Sequence, residues 1–371
     1  MLSRNTGISA TISPVEDVVF VAVVAGRFLL PLLIPRFPLP AIIACLVLDA
    51  ADQTIFQAFG FDPPGYQNYD KAMDIFYLSI AYLAAMRNWD NLHAFAVARF
   101  LFYYRLAGAF IFEVSHERWV LLVFPNTFEY FFIAYELWRT RWNTRPVTQR
   151  AWIITAAFIW IFIKLPQEYW LHIAELDVTD TLEDYWWAWP LLITLLVLLA
   201  VILWFGVRPR LPEPDHAFRI VSDPVPDAVD TSVKLAAIQI AGGWVVSWMT
   251  VEKIVLVGVV SAIYGLFLPT VSVSTQELFV SIGTLVALNA VITLLFSRRN
   301  WSFESAGLAV VVRIAVNVGM VGLIDFVFGR SGHGWTTFFF LCLISLMTTL
   351  HDRYQPVYAW RRAQELDLRD A

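Results

Sequence analysis

The sequence predicts an all-α polytopic membrane protein, with about eleven transmembrane helices (ten to twelve) and one interfacial or re-entrant segment. Three observations predict it. Of 371 residues, 58% are hydrophobic and only 15% are charged, far from the balance of soluble domains. The apolar residues fall in blocks of roughly 16 to 24, long enough for a helix to cross a hydrocarbon core of about 30 Å. Turn-forming stretches separate the blocks: Pro35, Pro38 and Pro40, then Pro63-Pro64-Gly65, Pro146, and Gly332 with Gly334.

Taken in order, spans are expected near 17–35, 38–58, 73–87, 92–112, 118–138, 151–173 and 186–206. Four more follow near 253–270, 274–296, 303–328 and 334–350. Residues 1–16 are polar and the first apolar run holds Arg27 with no small-residue cleavage site behind it, which argues against a removed signal peptide. Residues 235–250 are apolar but contain Gly242-Gly243, and Glu252-Lys253 follow; an interfacial or re-entrant segment fits them best. The loop 207–232 holds Pro209, Pro212, Pro214, Pro224 and Pro226 among charges, a composition that reads as a solvated linker. The chain thus divides into a seven-span half (1–206), the linker, an interfacial segment with four spans (233–350), and a basic tail (351–371).

Short-loop charge sets the orientation. Arg139, Arg141, Arg145 and Arg150 crowd one loop, Arg298-Arg299 mark another, and Arg353, Arg361 and Arg362 the tail. With eleven spans all three fall on one side, so the tail is expected in the cytoplasm and the N-terminus outside a plasma membrane. Trp138, Trp142 and Trp152 would form the inner aromatic belt, and Trp170, Trp186, Trp187 and Trp189 the outer one. The net charge of −5, without a basic arm, excludes nucleic acid as the expected partner; membrane lipids remain. Cys45 and Cys342, far apart in apolar runs, are expected as small buried hydrophobes.

Ionisable residues inside the spans include Arg27, Asp49, Asp52, Asp74, Arg99, Arg105, Glu129, Lys164, Glu168, Arg313 and Asp325. At roughly 2.5–3.5 kcal/mol each at a helix centre, they cannot all face lipid. They are expected to pair with one another or to meet water. Helical spacing supports one polar face: Asn126, Glu129 and Glu136 on span five, Lys164, Glu168 and His172 on span six, Arg313 and Asn317 on span ten. Pro125 and Pro166 break two of these helices beside a charge, as occurs where backbone lines protein or a cavity. Arg99, Arg105 and Lys164 are the candidate anchors for an anionic head, with Asp49, Asp52, Glu129 and Glu168 to orient those cations or relay protons and Asn126 as a further candidate binding residue.

Asp49 and Asp52 stand near a helix end, where the dipole opposes them, so they need a cation: Lys71, Arg105, Arg99 or a divalent metal. Carboxylates without Cys or His suit Mg²⁺, Mn²⁺ or Ca²⁺. Asp70 and Asp74, at a helix start, could be ordinary caps. The run Asp49-x2-Asp52-x17-Asp70-x3-Asp74 resembles the four-aspartate signature of CDP-alcohol phosphotransferases, with Gln53 in place of that family's Gly and Phe56-Gln57 in place of its Ala-Arg. The resemblance implies Mg²⁺ or Mn²⁺ at these aspartates and transfer of a phospho group to a lipid alcohol. Phe124-Pro125-Asn126-Thr127-Phe128-Glu129-Tyr130-Phe131-Phe132 and Lys164-Leu165-Pro166-Gln167-Glu168-Tyr169-Trp170 also resemble segments of an uncharacterised family of actinobacterial integral membrane proteins, which implies the architecture but no activity.

No HExxH, GxSxG, Walker or dinucleotide motif is present, and Gly329 to Gly334 reads as a turn. The leading expectation is a protein that translocates or presents an anionic amphiphile or lipid-linked substrate through a charged cavity. The alternatives are the metal-dependent phosphotransferase and a membrane scaffold whose ion pairs are structural.

Overall fold

Every regular element among the described residues of the structure, a computed structural model, is helical. Those residues are 14–59, 66–174, 181–182, 184–226, 229, 248–267, 310–319 and 335–370. In chain order the helices are α1 (Pro14–Leu29), α2 (Pro38–Ala58), α3 (Tyr66–Asn88), α4 (Leu92–Ser115), α5 (Trp119–Val123), α6 (Thr127–Arg139) and α7 (Gln149–Phe158). They continue as α8 (Ala188–Val201), α9 (Trp248–Phe267), α10 (Val310–Gly319) and α11 (Trp335–Asp370). Among the described residues, four stretches are long and apolar enough to cross a membrane: Leu92–Ser115, Trp119–Arg139, Gln149–Glu168 and Ala188–Arg210. The chain is therefore an α-helical protein of membrane-spanning composition. Asp325, Arg298-Arg299, the turns at Pro63 and Gly332, most of 235–250, and the side chains of Asp70, Lys71 and His172 lie outside what is described.

α3 is the axis of the bundle. From Ile75 to Met86 every residue is buried, so this helix is enclosed on all sides. It packs against α1, α2, α4, α6, α9 and α11. Aromatic rings fill the seams: Trp89 stacks on Tyr135 with centroids 3.8 Å apart, and Tyr82 on Phe102 at 4.5 Å. The order of spans along the chain does not announce which is central, and the polar start of α3 hides it.

Two helices are interrupted where proline was expected to interrupt them. Between α5 and α6 the chain turns through Phe124 (φ −110°, ψ 63°), Pro125 and Asn126. Beyond α7, π-helical turns at Ile159–Lys164 and Tyr169–Ile173 flank the short helix Leu165–Glu168 that holds Pro166. Pro166 has no N–H to give, and the wider turns absorb the missing bond.

One end of the bundle is tied together by backbone. Arg361 donates to the carbonyls of Arg87 and Trp89 and pairs with Asp90 at 3.3 Å. Burial lowers the Arg361 guanidinium from its ordinary value, and Asp90 opposes that shift. Asn91 donates to Thr144 and Val147 carbonyls. The Arg139–Arg145 loop and the start of the tail therefore share one end. The Pro-rich segment 212–223, expected as a solvated linker, lies across that same end: Arg219 N donates to Thr140 O, and Ser222 N to Arg36 O. Trp152 is a correction to the aromatic belt, since it is buried against Phe131 and Tyr135. Its face of α7 meets the aromatic stripe of α6, which offers more contact than an interface would. Trp186 and Trp189 are exposed as expected.

Candidate functional site

Arg27 gathers three carboxylates. It sits in the last turn of α1, where a cation suits the helix dipole. Its Nη2 lies 2.5 Å from Asp49 Oδ1 and 3.2 Å from Asp74 Oδ1, and its Nη1 donates to Asp52 Oδ2. Asp49 and Asp52 share one face of α2 by their spacing of three, and Asp74 comes from the first turns of α3. Arg27 and Asp52 are fully enclosed, whereas the side chains of Asp49 and Asp74 are 23% and 21% exposed, so the cluster opens at its rim. Three of the four spaced aspartates thus converge, and the described cation at their centre is Arg27, not Arg99 or Arg105.

A second set lies one turn deeper. Tyr77, three residues after Asp74, donates to Glu129 Oε1 at 2.6 Å. Asn126, at the break before α6, donates its Nδ2 to Glu129 Oε2 at 3.1 Å and its backbone N–H to Glu168 Oε1 at 3.2 Å. Lys164 Nζ stands 3.8 Å from Glu129 Oε2 and 4.1 Å from the Tyr130 ring centre. Glu129, Lys164, Glu168 and Asn126 are all buried. The charges of Asp49 and Asp74 act on Tyr77, and those of Asp49 and Arg105 on Glu129, so the two sets form one electrostatic neighbourhood.

Arg105 completes it. Its Nη1 donates to the Phe124 carbonyl at 3.1 Å, a group set free by the Pro125 break, and its Nε is buried without a hydrogen-bond partner among the described residues. No carboxylate pairs with it among the described residues. The close approach that places Phe124 depends on Gly108: a Cβ there would stand 2.1 Å from Phe124 Cβ.

Arg99 is elsewhere. It pairs with Glu252 of α9 at 3.4 Å beside Tyr82, whose hydroxyl donates to the same carboxylate. Lys253, Arg313 and Asp352 form a neighbouring set, and Asn317 donates to Ser345. The six candidate substrate residues are therefore split: Arg105, Asn126, Glu129, Lys164 and Glu168 come together, and Arg99 belongs to a different cluster. Sequence reasoning overlooked Arg27 as the aspartates' partner, and it also overlooked Tyr77, Glu252, His351 and Asp352. Tyr77 had a usable signal, one turn from Asp74; Glu252 and Asp352 did not, because both sit at span ends where charge is ordinary.

Among the described residues, no three His, Cys, Asp or Glu side chains lie close enough to hold a metal ion. The aspartate set as folded fits a guanidinium better than a divalent cation. The chain matches no protein-family model, no curated protein and no solved structure. Fold and site together define a class, an α-helical membrane protein with a buried ionic interior, and the functional reading has to come from the chemistry of that interior.

Proposed function

We propose that the protein is a multi-pass plasma-membrane protein of about eleven spans that translocates or presents an anionic amphiphile or lipid-linked substrate, exchanging protons at its interior carboxylates. The observation that carries this reading is Arg105, a half-buried cation beside the polar interior that is bonded to a carbonyl and to no described carboxylate. Such a guanidinium keeps donors for a substrate oxyanion.

Burial supplies the coupling: Glu129 is enclosed in the polar interior, where an ionised carboxylate is costly unless it is paired. Glu129 is the natural acceptor. Its bond to Lys164 is long, and Tyr77 and Asn126 hold the carboxylate in place. A proton on Glu129 cancels its claim on Lys164, and Lys164 and Arg105 then receive the anion together. The rim at Asp49 and Asp74 is the proton entry. The shared end formed by the Arg139–Arg145 loop and the Arg361 region supports a cytoplasmic tail and an external N-terminus.

The reading is tested in nanodiscs that mix phosphatidylglycerol with phosphatidylcholine, with retained lipid counted by native mass spectrometry. Arg105→Gln is expected to lose about tenfold or more of the preference for phosphatidylglycerol, the equivalent of one charge-assisted hydrogen bond. Unchanged preference, or a cysteine at 105 that no impermeant thiol reagent reaches from outside, rejects it.

Phosphotransfer at Asp49, Asp52, Asp70 and Asp74 is favoured by the convergence of three of them, but it needs a divalent ion where Arg27 stands. Millimolar Mg²⁺ or Mn²⁺ is therefore expected to leave Tm unchanged. A clear rise in Tm that Asp52→Asn abolishes would revive the enzyme.

A further inference from the structure

The cluster that took Arg99 away from the first site has unmet chemistry of its own. It lies where α4, α9 and α11 meet, with α3 and α10 alongside. Arg99 is seven residues into α4, so the cluster sits about 10 Å inside the end where Arg361 is anchored. Along α3, Asp74 and Tyr82 are eight residues apart, which separates the two sites by about 12 Å.

Asp352 is shared by Lys253 at 2.8 Å and Arg313 at 2.5 Å. Glu252 takes Arg99 and the Tyr82 hydroxyl through the same oxygen, Oε1. What is left over is specific. Arg99 Nη2, Thr348 Oγ1, both ring nitrogens of His351 and Glu252 Oε2 are all buried and lack hydrogen-bond partners among the described residues. His351, Thr348 and Glu252 are each more than nine-tenths buried. Arg99, Lys253, Arg313 and Asp352 all act electrostatically on His351, so these groups occupy one neighbourhood. Leaving a buried polar group unbonded costs about 1–3 kcal/mol, and three helices contribute such groups here.

The unmet groups differ in kind. Arg99 and Thr348 offer hydrogens, His351 offers one hydrogen or two according to its charge, and Glu252 Oε2 can only accept. A halide would answer the donors and be repelled by Glu252. A fully deprotonated oxyanion would meet the same repulsion. An oxyanion that still carries a hydrogen answers both sides: its O–H donates to Glu252 and its remaining oxygens accept from Arg99, Thr348 and His351. We propose that the junction of α4, α9 and α11 binds a small protonated oxyanion of the hydrogenphosphate or hydrogencarbonate kind. This site is independent of the Arg105 site and of the function inferred from it.

Full-length protein in detergent is titrated at constant ionic strength with phosphate, hydrogencarbonate, sulfate and chloride, read by calorimetry and by Tm. Phosphate and hydrogencarbonate are expected to bind and to raise Tm, and sulfate and chloride are not. Arg99→Gln weakens binding about tenfold or more. Glu252→Gln, isosteric and able to donate at the Oε2 position, keeps the fold and turns selectivity toward sulfate and chloride. Micelles carrying phosphatidate separate a lipid phosphate from the free ion: saturation by phosphatidate that Arg99→Gln weakens also supports the site and makes the headgroup its ligand. Absence of binding by any protonated oxyanion, equal stabilisation by all four anions, or binding indifferent to both Arg99→Gln and Glu252→Gln overturns the proposal.

Discussion

Replacing Arg27 by Met is expected to cause the largest single loss of stability in the chain, about 3–5 kcal/mol, the range for breaking a buried ion pair from one side. Asp52 is wholly buried and receives its bond from Arg27 Nη1, while Asp49 and Asp74 share Nη2. Removing the guanidinium takes a shared counter-ion from three carboxylates at the contacts of α1, α2 and α3. Met preserves much of the side-chain volume, so a loss of this size reports charge more than packing. Adding Asp52→Asn to Arg27→Met should recover a substantial part of it, because the most deeply buried carboxylate is then neutral. Thermal unfolding of the purified single and double variants checks this. Equal Tm for the two would show that Arg27 does not serve as the common counter-ion.

Gly108→Ala is the second large effect. The added Cβ would lie 2.1 Å from Phe124 Cβ and 2.6 Å from Phe124 Cγ. The first of these contacts is to an atom fixed to the backbone, which no rotamer change relieves. Either α4 or the α5–α6 break must move, at about 1–3 kcal/mol or more for overpacking. The expected damage reaches past stability. Phe124 supplies the carbonyl that holds Arg105, and Val123 the one that holds Tyr104. Gly108→Ala should therefore lower Tm and also alter labelling of a cysteine placed at 105. An alanine variant with wild-type Tm and wild-type labelling would mean that the two helices do not approach as closely as described. Gly319, with open space where its Cβ would go, is the matching control.

Much of the ionic interior could be anticipated from sequence because cost leaves few options. A charge in an apolar helix has to turn inward, and spacings of three and four then say which charges share a face. Asn126 with Glu129, and Lys164 with Glu168, were legible in that way, as were the breaks at Pro125 and Pro166. The position of Asp49 and Asp52 near a helix end likewise marks carboxylates that need a cation, whereas Asp74 reads from sequence as an ordinary cap. What spacing does not carry is which helix lies opposite. Arg27 is 22 residues from Asp49 and 47 from Asp74, and only the packing of α1 against α2 and α3 makes it their partner. The same holds for Arg99, whose own helix says nothing about Glu252, 153 residues further on.

The sequence by itself determined that this protein is helical, of membrane-spanning composition, and obliged to bury its charges in company. Those are consequences of composition and of local periodicity, which transfer energies and helical geometry govern one segment at a time. The tertiary structure alone decided that α3 is the enclosed axis, that Arg27 is the hub of the aspartates, that Gly108 seats Phe124, and that Arg99 and Arg105 serve different clusters. The physical reason is that an ion pair or a close approach between helices is a property of two surfaces at once. Pairing in a low-dielectric interior selects among many sterically possible partners, and nothing within either helix records the choice.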